Sequence, residues 1–237
     1  MEGSRIAELL QPFLRHDLSS EQLRSISMYI DILLKWNRKM NLTAVRGPEQ
    51  AVTRHFGESL FAAQHIFPSV HREWAEGSPR TAARERDSWD SRRSGTDLAS
   101  SLSTVVDVGS GAGFPGLPLR IWASEVGLTL IESNHRKATF LREVVRALGL
   151  EGVDVFAGRA ESFPSASADV VTLRAVERFE NILAIAARLV RAGGLLALLI
   201  GEEQIEVAKA GLTDLRWQAA VPIPLSSNRV VLIGEPH

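Results

Sequence analysis

Apolar residues fall into three regimes along the chain. Leu23, Ile26, Ile30, Leu33, Leu34 and Met40 recur at three- and four-residue steps, which is one face of a helix. Just ahead of them, Ser19 and Gln22 have the spacing of a capping box, in which each side chain satisfies a backbone donor of the other residue. A second helix is expected around His55, Leu60, Ala63 and Ile66. Residues 68–102 break the pattern. They are rich in Ser, Arg, Asp and Ala and poor in large aliphatics, the mark of a low-order insertion or linker. Trp74 and Trp89 could dock within it, and 79–86 could be helical. From Thr104 onward, short apolar runs alternate with amphipathic stretches. Strands are expected at 104–108, 128–132, 153–157, 169–173 and 195–200, with two more near 217–223 and 229–233. The clearest helices are 136–148 and 179–190. Alternation of this kind builds βαβ units and a mostly parallel sheet. The chain therefore divides into an N-terminal helical extension (1–67), the insertion (68–102) and an α/β domain (103–237).

Composition narrows the class. With 237 residues, 45% hydrophobic and 23% charged, the chain suits one α/β domain with an appendage. No apolar run approaches the ~18–20 residues of a membrane span; the longest, 193–200, has the length of a buried strand. Glu2 near the start, and no signal-like apolar segment behind it, point to a cytoplasmic protein. There are no cysteines. That excludes disulfides, cysteine zinc sites, cysteine-ligated iron–sulfur clusters and every mechanism needing a thiolate. No His, Asp or Glu set has metal-ligand spacing, so no metal is expected. The net charge of −1 gives no global attraction to nucleic acid, although a local basic face would be enough.

The strongest chemical signal is a buried strand that enters a glycine-rich turn and then a helix, with Gly109, Gly111, Gly113 and Gly116 in the turn. Glycine lets backbone turn sharply and approach a ligand closely. Gly111, Gly113 and Gly116 satisfy the dinucleotide fingerprint, and Glu132 follows at a fitting distance. Asp107, at the strand end, discriminates. An acid there would repel a pyrophosphate, whereas the sulfonium and amino group of S-adenosylmethionine (SAM) favour a nearby carboxylate. Glu132, at the end of the next strand, can accept hydrogen bonds from both ribose hydroxyls. SAM is the favoured ligand; a dinucleotide and a bare strand–helix turn are the competing readings.

Several further blocks, in order, carry a family likeness: Trp36-Asn37, Asn41 to Thr43, Arg54-His55 with Glu58-Ser59, Asp107 to Pro118, Glu132-Ser133, Arg136-Lys137, Phe140-Leu141, Gly158 to Glu161, and Arg174-Ala175. With these the chain resembles the RsmG/GidB family of 16S rRNA guanine-N7 methyltransferases. The resemblance implies a class I SAM-methyltransferase fold, a Rossmann-like seven-stranded sheet with an N-terminal helical extension. It also implies that Gly109, Phe114, Ala160, Glu161 and Arg174 line the SAM site, with Glu132 on the ribose, and that the partner is 16S rRNA or the small ribosomal subunit; separately, a monomer is expected, although the sequence leaves oligomeric state open. Three departures stand out: the insertion at 68–102, Glu58 where the family has Asp, and Ile200 where the family usually has a lysine before glycine.

The absences agree with this chemistry. Guanine N7 carries a lone pair and no proton, so alignment and electrostatics suffice. Pyrimidine C5 methylation by the usual route needs a cysteine. Exocyclic-amine methylation often uses an Asp/Asn-Pro-Pro-aromatic motif, and the corresponding place reads Thr172-Leu173-Arg174-Ala175. Arg174 either orients cofactor or base, or pairs with Asp169 or Glu177 for structure. Lys35, Arg38, Arg54, Arg136, Lys137 and Arg159 are the candidate phosphate contacts, joined by Lys39 and Arg46; each taken singly suits a solvated helix face. His55 is expected to hydrogen-bond within the extension, Trp36 to anchor its core, and Asn37 and Asn41 to cap it or bridge it to the catalytic domain. Two other functions stay open: a small-molecule methyltransferase with the insertion as its lid, and a SAM-binding relative without RNA methylation, suggested by Ile200.

Overall fold

The computed structural model describes residues 1–67, 103–174 and 179–237. The expected insertion, with Trp74, Trp89 and the 79–86 helix, lies outside the described residues, as does Glu177. The extension comprises α1 (Gly3–Leu10), α2 (Ser20–Met40), α3 (Pro48–Ala51), a π-helical segment (Val52–Gly57) and α4 (Glu58–Ile66). Helix α2 opens on the capping box: the Gln22 amide donates to the Ser19 hydroxyl at 3.2 Å, and the Ser19 amide to Gln22 Oε1 at 2.9 Å. It ends at Asn41, whose left-handed φ of 49° suits asparagine better than most residues. Ile26, Tyr29, Ile30, Leu33 and Asn37 form its buried face. Leu23, Leu34 and Met40 are half-buried at the rim, so the stripe is rotated toward Tyr29 from the one the periodicity predicts.

The strands are β1 (Thr104–Val108), β2 (Gly127–Ile131), β3 (Val153–Phe156), β4 (Ala168–Arg174), β5 (Val190–Gly201), β6 (Leu215–Trp217), β7 (Val221–Pro222) and β8 (Arg229–Pro236). Their order is β3-β2-β1-β4-β5-β8-β6, with β7 also on β8. The first five are parallel and β8 runs antiparallel to β5. The order reverses between β1 and β4, the crevice at which open α/β sheets bind ligands. This is the Rossmann-like sheet of the class I methyltransferases. It has eight strands rather than seven because the expected 217–223 strand divides. Leu215–Trp217 pairs with one stretch of β8 and Val221–Pro222 with another, and Pro222 and Pro224, lacking N–H donors, keep β7 short.

A parallel sheet must be covered on both faces. Helices α7 (Phe179–Leu189) and α8 (Ile205–Gly211) cover one, over Val106, Val108, Val171, Leu196 and Leu198. On the other, α5 (Gly116–Trp122) and α6 (His135–Ala147) share the work with the extension. There Val105, Leu130, Val170 and Leu199 are continuous with Ile26, Leu33, Phe56 and Leu60 in one core. Polar ties fix the junction: Gln22 Nε2 donates to the Ile121 carbonyl at 3.0 Å, and the Tyr29 hydroxyl donates to the carbonyl of Ala112. The Tyr29 ring stacks on Phe114 (5.3 Å, 2° between planes) and meets Phe56 edge-on at 5.1 Å.

Gly113 makes this junction possible. Its φ is +85°, and a Cβ there would run into the Tyr29 hydroxyl and come within 2.6 Å of Leu117 Cδ1. Gly113→Ala is therefore expected to cost roughly 1–3 kcal/mol by overpacking, with backbone strain in addition. Denaturant unfolding monitored by tryptophan fluorescence checks this; an unchanged midpoint would show that the loop can back away from Tyr29 without loss.

Candidate functional site

Strand β1 ends in a buried carboxylate. Asp107 Oδ1 accepts from the Thr172 hydroxyl at 2.7 Å, and Oδ2 from the Gly116 amide at 3.3 Å. It thus ties β4 and the start of α5 to the strand that leads into the turn. Burial pushes its carboxyl up to about 6, against the downward pull of those hydrogen bonds and of the more distant Arg174. The glycines after it differ in task. Gly111, φ +57°, is open: an added Cβ would meet only the Gly109 carbonyl, at 3.7 Å. Gly113 and Gly116 are enclosed, the first by Tyr29 and Leu117, the second by Leu130 and Asp107 itself. The exposed Gly109 and the open Gly111 leave the outer side of the turn free, while Gly113 and Gly116 let the turn pack closely.

Glu132, just past β2, is 6% exposed and braces the turn. Its Oε2 accepts from the Gly111 amide at 2.9 Å and its Oε1 from the Asn134 amide at 2.7 Å. Each oxygen keeps a further lone pair, which fits the expected acceptance of ribose hydroxyls. Asn134 caps α6 by accepting from the amides of Arg136 and Lys137. Past β3, Ala160 is buried and Glu161 exposed, in a short turn held by Arg188 through the Glu161 carbonyl. The open glycine face, the lone pairs of Glu132 and the carboxylate beneath make a cradle that SAM's sulfonium, amino group and ribose fit.

Arg174, at the end of β4, is turned into the extension. Its Nη2 donates to Glu58 Oε2 at 2.8 Å and to the Arg54 carbonyl at 2.6 Å. Its Nη1 lies 3.2 Å from His55 Nδ1. A guanidinium can only donate, so His55 Nδ1 accepts, and Nε2–H donates to the Thr43 hydroxyl at 2.7 Å. Burial, then the fields of Arg174 and Arg54, push His55 down to about 3 and keep it neutral. From Thr43 the chain of contacts continues: the Thr43 amide donates to Asn37 Oδ1 at 2.9 Å, and Asn37 Nδ2 to the Val45 carbonyl at 2.8 Å. Phe114 stacks on His55 at 4.6 Å and lies 5.9 Å from the Arg174 guanidinium.

Asp169, an expected structural partner of Arg174, sits at the other end of β4, where it accepts from Thr104 and pairs with Arg191. Sequence reasoning missed Glu58 and Arg229 as neighbours of Arg174; only the Arg54-His55…Glu58-Ser59 spacing hinted at one of them. Asn37 bonds within the extension, to Thr43 and Val45, rather than to the catalytic domain, and Asn41 caps α2 and accepts from Arg46. Trp36 meets Phe140 edge-on at 5.7 Å and, with Lys35, Lys39, Met40 and Glu143, lines a groove of about 230 Å³. Lys35, Arg38, Arg54, Arg136 and Arg159 are exposed and Lys137 half-buried. Arg54 and Arg136 stand beside Arg174 and Glu132 respectively. Ile200 is 2% exposed and packs with Val108 and Leu173, on the sheet face opposite Leu199, the register partner of Arg174. Its departure from lysine thus leaves the surroundings of Arg174 intact.

The family described as GidB, rRNA small subunit methyltransferase G, matches residues 22–75 and 85–223. The ribosomal RNA small subunit methyltransferase G of Exiguobacterium sp. (strain AT1b) is 33% identical over 234 residues, covering 92% of this chain and 85% of that protein. The protein of the same description from Stenotrophomonas maltophilia (strain K279a) is 34% identical over 213 residues, 88% of this chain and 81% of its own. Among solved structures, a SAM dependent methyltransferase from Aquifex aeolicus aligns at 19% identity and a TM-score of 0.47, over 56% of this chain and 81% of that one.

The raised carboxyl of Asp107 has a thermodynamic consequence. Between about pH 4 and 6 the folded protein holds a proton that the unfolded chain has released, so this group's contribution to stability is full below about 4 and lost as pH rises through about 6. Asparagine has no such loss. Between pH 4 and 7, Asp107→Asn should gain roughly 2 kcal/mol relative to the wild type. Denaturation midpoints of both proteins at the two pH values read this directly, and a difference independent of pH would mean an ordinary carboxyl.

Proposed function

The chain belongs to the rRNA small subunit methyltransferase G family, and from that premise we propose how its residues carry out the family's reaction. It is a SAM-dependent enzyme that methylates N7 of a guanine in 16S rRNA. One observation carries the reading of the site. Buried carboxylates, Asp107 and Glu132, stand at the ends of the neighbouring parallel strands β1 and β2, and Glu132 holds the amide of Gly111, whose Cα side is open. That arrangement welcomes a cation with a ribose and repels a pyrophosphate. SAM supplies an electrophilic methyl group on a positively charged sulfur.

In this reading Gly109 and Gly111 admit the cofactor to the backbone, while Gly113 and Phe114 shape the turn from behind. Asp107 supplies negative potential beneath the cationic end. Glu132 accepts the ribose hydroxyls through its remaining lone pairs, and Ala160 and Glu161 flank the adenine. Arg174 orients the target base against the cofactor. No general base is needed, because N7 has no proton to lose. His55, the nearest imidazole, is neutral and engaged through both ring nitrogens, so it positions rather than titrates. Lys35, Arg38, Arg54, Arg136, Lys137 and Arg159 contact phosphates of 16S rRNA or of the small subunit, and the enzyme works as a cytoplasmic monomer. Among the described residues no helix is long and apolar enough to cross a membrane.

The test is transfer itself. Incubated with methyl-labelled SAM and small subunits lacking the modification, the protein should place label on N7 of a single guanine. Arg174→Ala should lower kcat/KM by about 10²-fold or more, the usual loss when one pre-aligned donor is removed. Tight SAM binding by calorimetry with no transfer to RNA would overturn this reading.

A further inference from the structure

The groove between α2 and α6 stands apart from the cradle around Gly111. It is lined by Lys35, Trp36, Lys39, Met40 and Glu143 and encloses about 230 Å³. That is below the ~300–1,000 Å³ of pockets for drug-sized ligands and suits a fragment the size of one nucleobase. Glu143 lies two turns along α6 from its first residue, His135, roughly 12 Å at 1.5 Å per residue. The groove is therefore well down the helix from the ligand edge of the sheet. Its walls divide by chemistry. Trp36 and Met40, both half-buried, offer a flat ring and a polarisable thioether. Phe140 braces the Trp36 ring edge-on. The indole N–H donates to no described residue and is not enclosed. Lys35 and Lys39 are exposed, one helical turn apart, and repel each other. Neither ammonium pairs with Glu143 or with any other carboxylate among the described residues, and Glu143 accepts from no described donor.

An aromatic platform, a free carboxylate and two cations thus stand side by side, and together they select an occupant. An apolar helix laid in the groove would bury the carboxylate and both ammoniums without partners, which is costly. A nucleotide satisfies all three. Its base stacks on Trp36, its phosphate lies against Lys35 and Lys39, and its base edge faces Glu143. The carboxylate chooses among bases. Guanine presents two donors together on its Watson–Crick edge, N1–H and the N2 amino group, and an ionised carboxylate only accepts. Adenine presents one amino group beside an acceptor nitrogen, which a carboxylate repels. We propose that the groove between α2 and α6 takes an unpaired guanine nucleotide of the substrate RNA, distinct from the methylated one, stacked on Trp36, read by Glu143 and held at its phosphate by Lys35 and Lys39. The source of that nucleotide rests on the RNA-methylation reading.

Guanosine and adenosine monophosphates are titrated into the protein with SAM saturating, and the Trp36 indole N–H resonance, assigned by its loss in Trp36→Leu, is followed by NMR. The wild type should bind the guanine nucleotide more tightly. Glu143→Gln should weaken it about tenfold and shift the preference toward adenine, whose donor and acceptor an amide matches. For unmodified small subunits, Glu143→Gln and Trp36→Leu should each lose about tenfold in affinity. Lys39→Met should shrink the slope of log K against log salt by about 0.7–0.9, one phosphate contact. Thermal unfolding verifies that each variant folds, and Glu143→Gln alone decides if Trp36→Leu does not. No shift of the indole resonance, or no guanine preference that Glu143→Gln removes, would overturn the groove's assignment even in a protein that methylates RNA. A nucleotide response with subunit affinity unchanged in the variants would make it a site for free nucleotides and overturn the RNA source. A dimer that Trp36→Leu dissociates, with RNA affinity unchanged, would give the groove to a second copy of the chain. A guanine preference set by Glu143, in a protein that transfers no methyl group to RNA, would support the groove and count against the functional reading.

Discussion

The hydrogen bond from the Tyr29 hydroxyl to the Ala112 carbonyl joins the two halves of the site. A fully buried phenol must find an acceptor or carry a desolvation penalty. Burial also holds its proton firmly, so it stays a donor. A tight glycine turn exposes carbonyls that the sheet cannot pair, so the extension offers the one group the turn lacks. Everything beyond follows from that contact. With Tyr29 flat against Phe114, Phe56 meets both rings edge-on and His55 stacks on Phe114's ring. This brings Glu58, one turn further along, to the end of β4. The helical extension is thereby a wall of the site rather than an appendage.

What could be read from the chain was what local physics decides. Strands β1, β2, β4 and the second half of β5 are buried on both faces or nearly so, and such strands show as mostly apolar runs, whereas the edge strand β3 is half-exposed and showed by the alternation of Val153, Asp154 and Val155. The start of α2 was legible because a capping box is closed within four residues. The turn was legible because glycine takes φ values of +57° and +85° at no steric cost, and several glycines stand close together there. The remainder depends on long-range meetings. Arg174 is 116 residues from Glu58 in the chain, and no periodicity encodes that pairing. Trp36 read as a core anchor and does pack on Phe140, yet it also lines a groove, which its neighbours on α6 decide. The π-helical segment at Val52–Gly57 has no local signature of the kind a cap provides.

Several of the family's blocks gain a physical meaning in three dimensions. Asn37, Thr43, His55 and Glu58 look unrelated along the sequence, but they form consecutive links ending on one guanidinium. Each link fixes the next. Asn37 holds the backbone of Thr43, the Thr43 hydroxyl accepts the hydrogen bond of His55 Nε2–H, and His55 Nδ1 is then able only to accept from Arg174. A buried guanidinium held by three acceptors has little rotational freedom left. Glu58, one methylene longer than the Asp the family has there, stands within reach of Arg174 and Arg229 together.

Charge is sorted across the ligand edge of the sheet in a way a net value of −1 conceals. Asp107 and Glu132 stand at β1 and β2, and Arg174 and Arg229 at β4 and β8. A sulfonium entering over the acids meets the opposite sign, and an anion is repelled from that half. The separation matters more than the sum, because buried charges at such distances are little screened by salt. It also limits what else the site can take. A dinucleotide would set its pyrophosphate over Asp107. The acids that exclude a pyrophosphate are the ones that suit SAM.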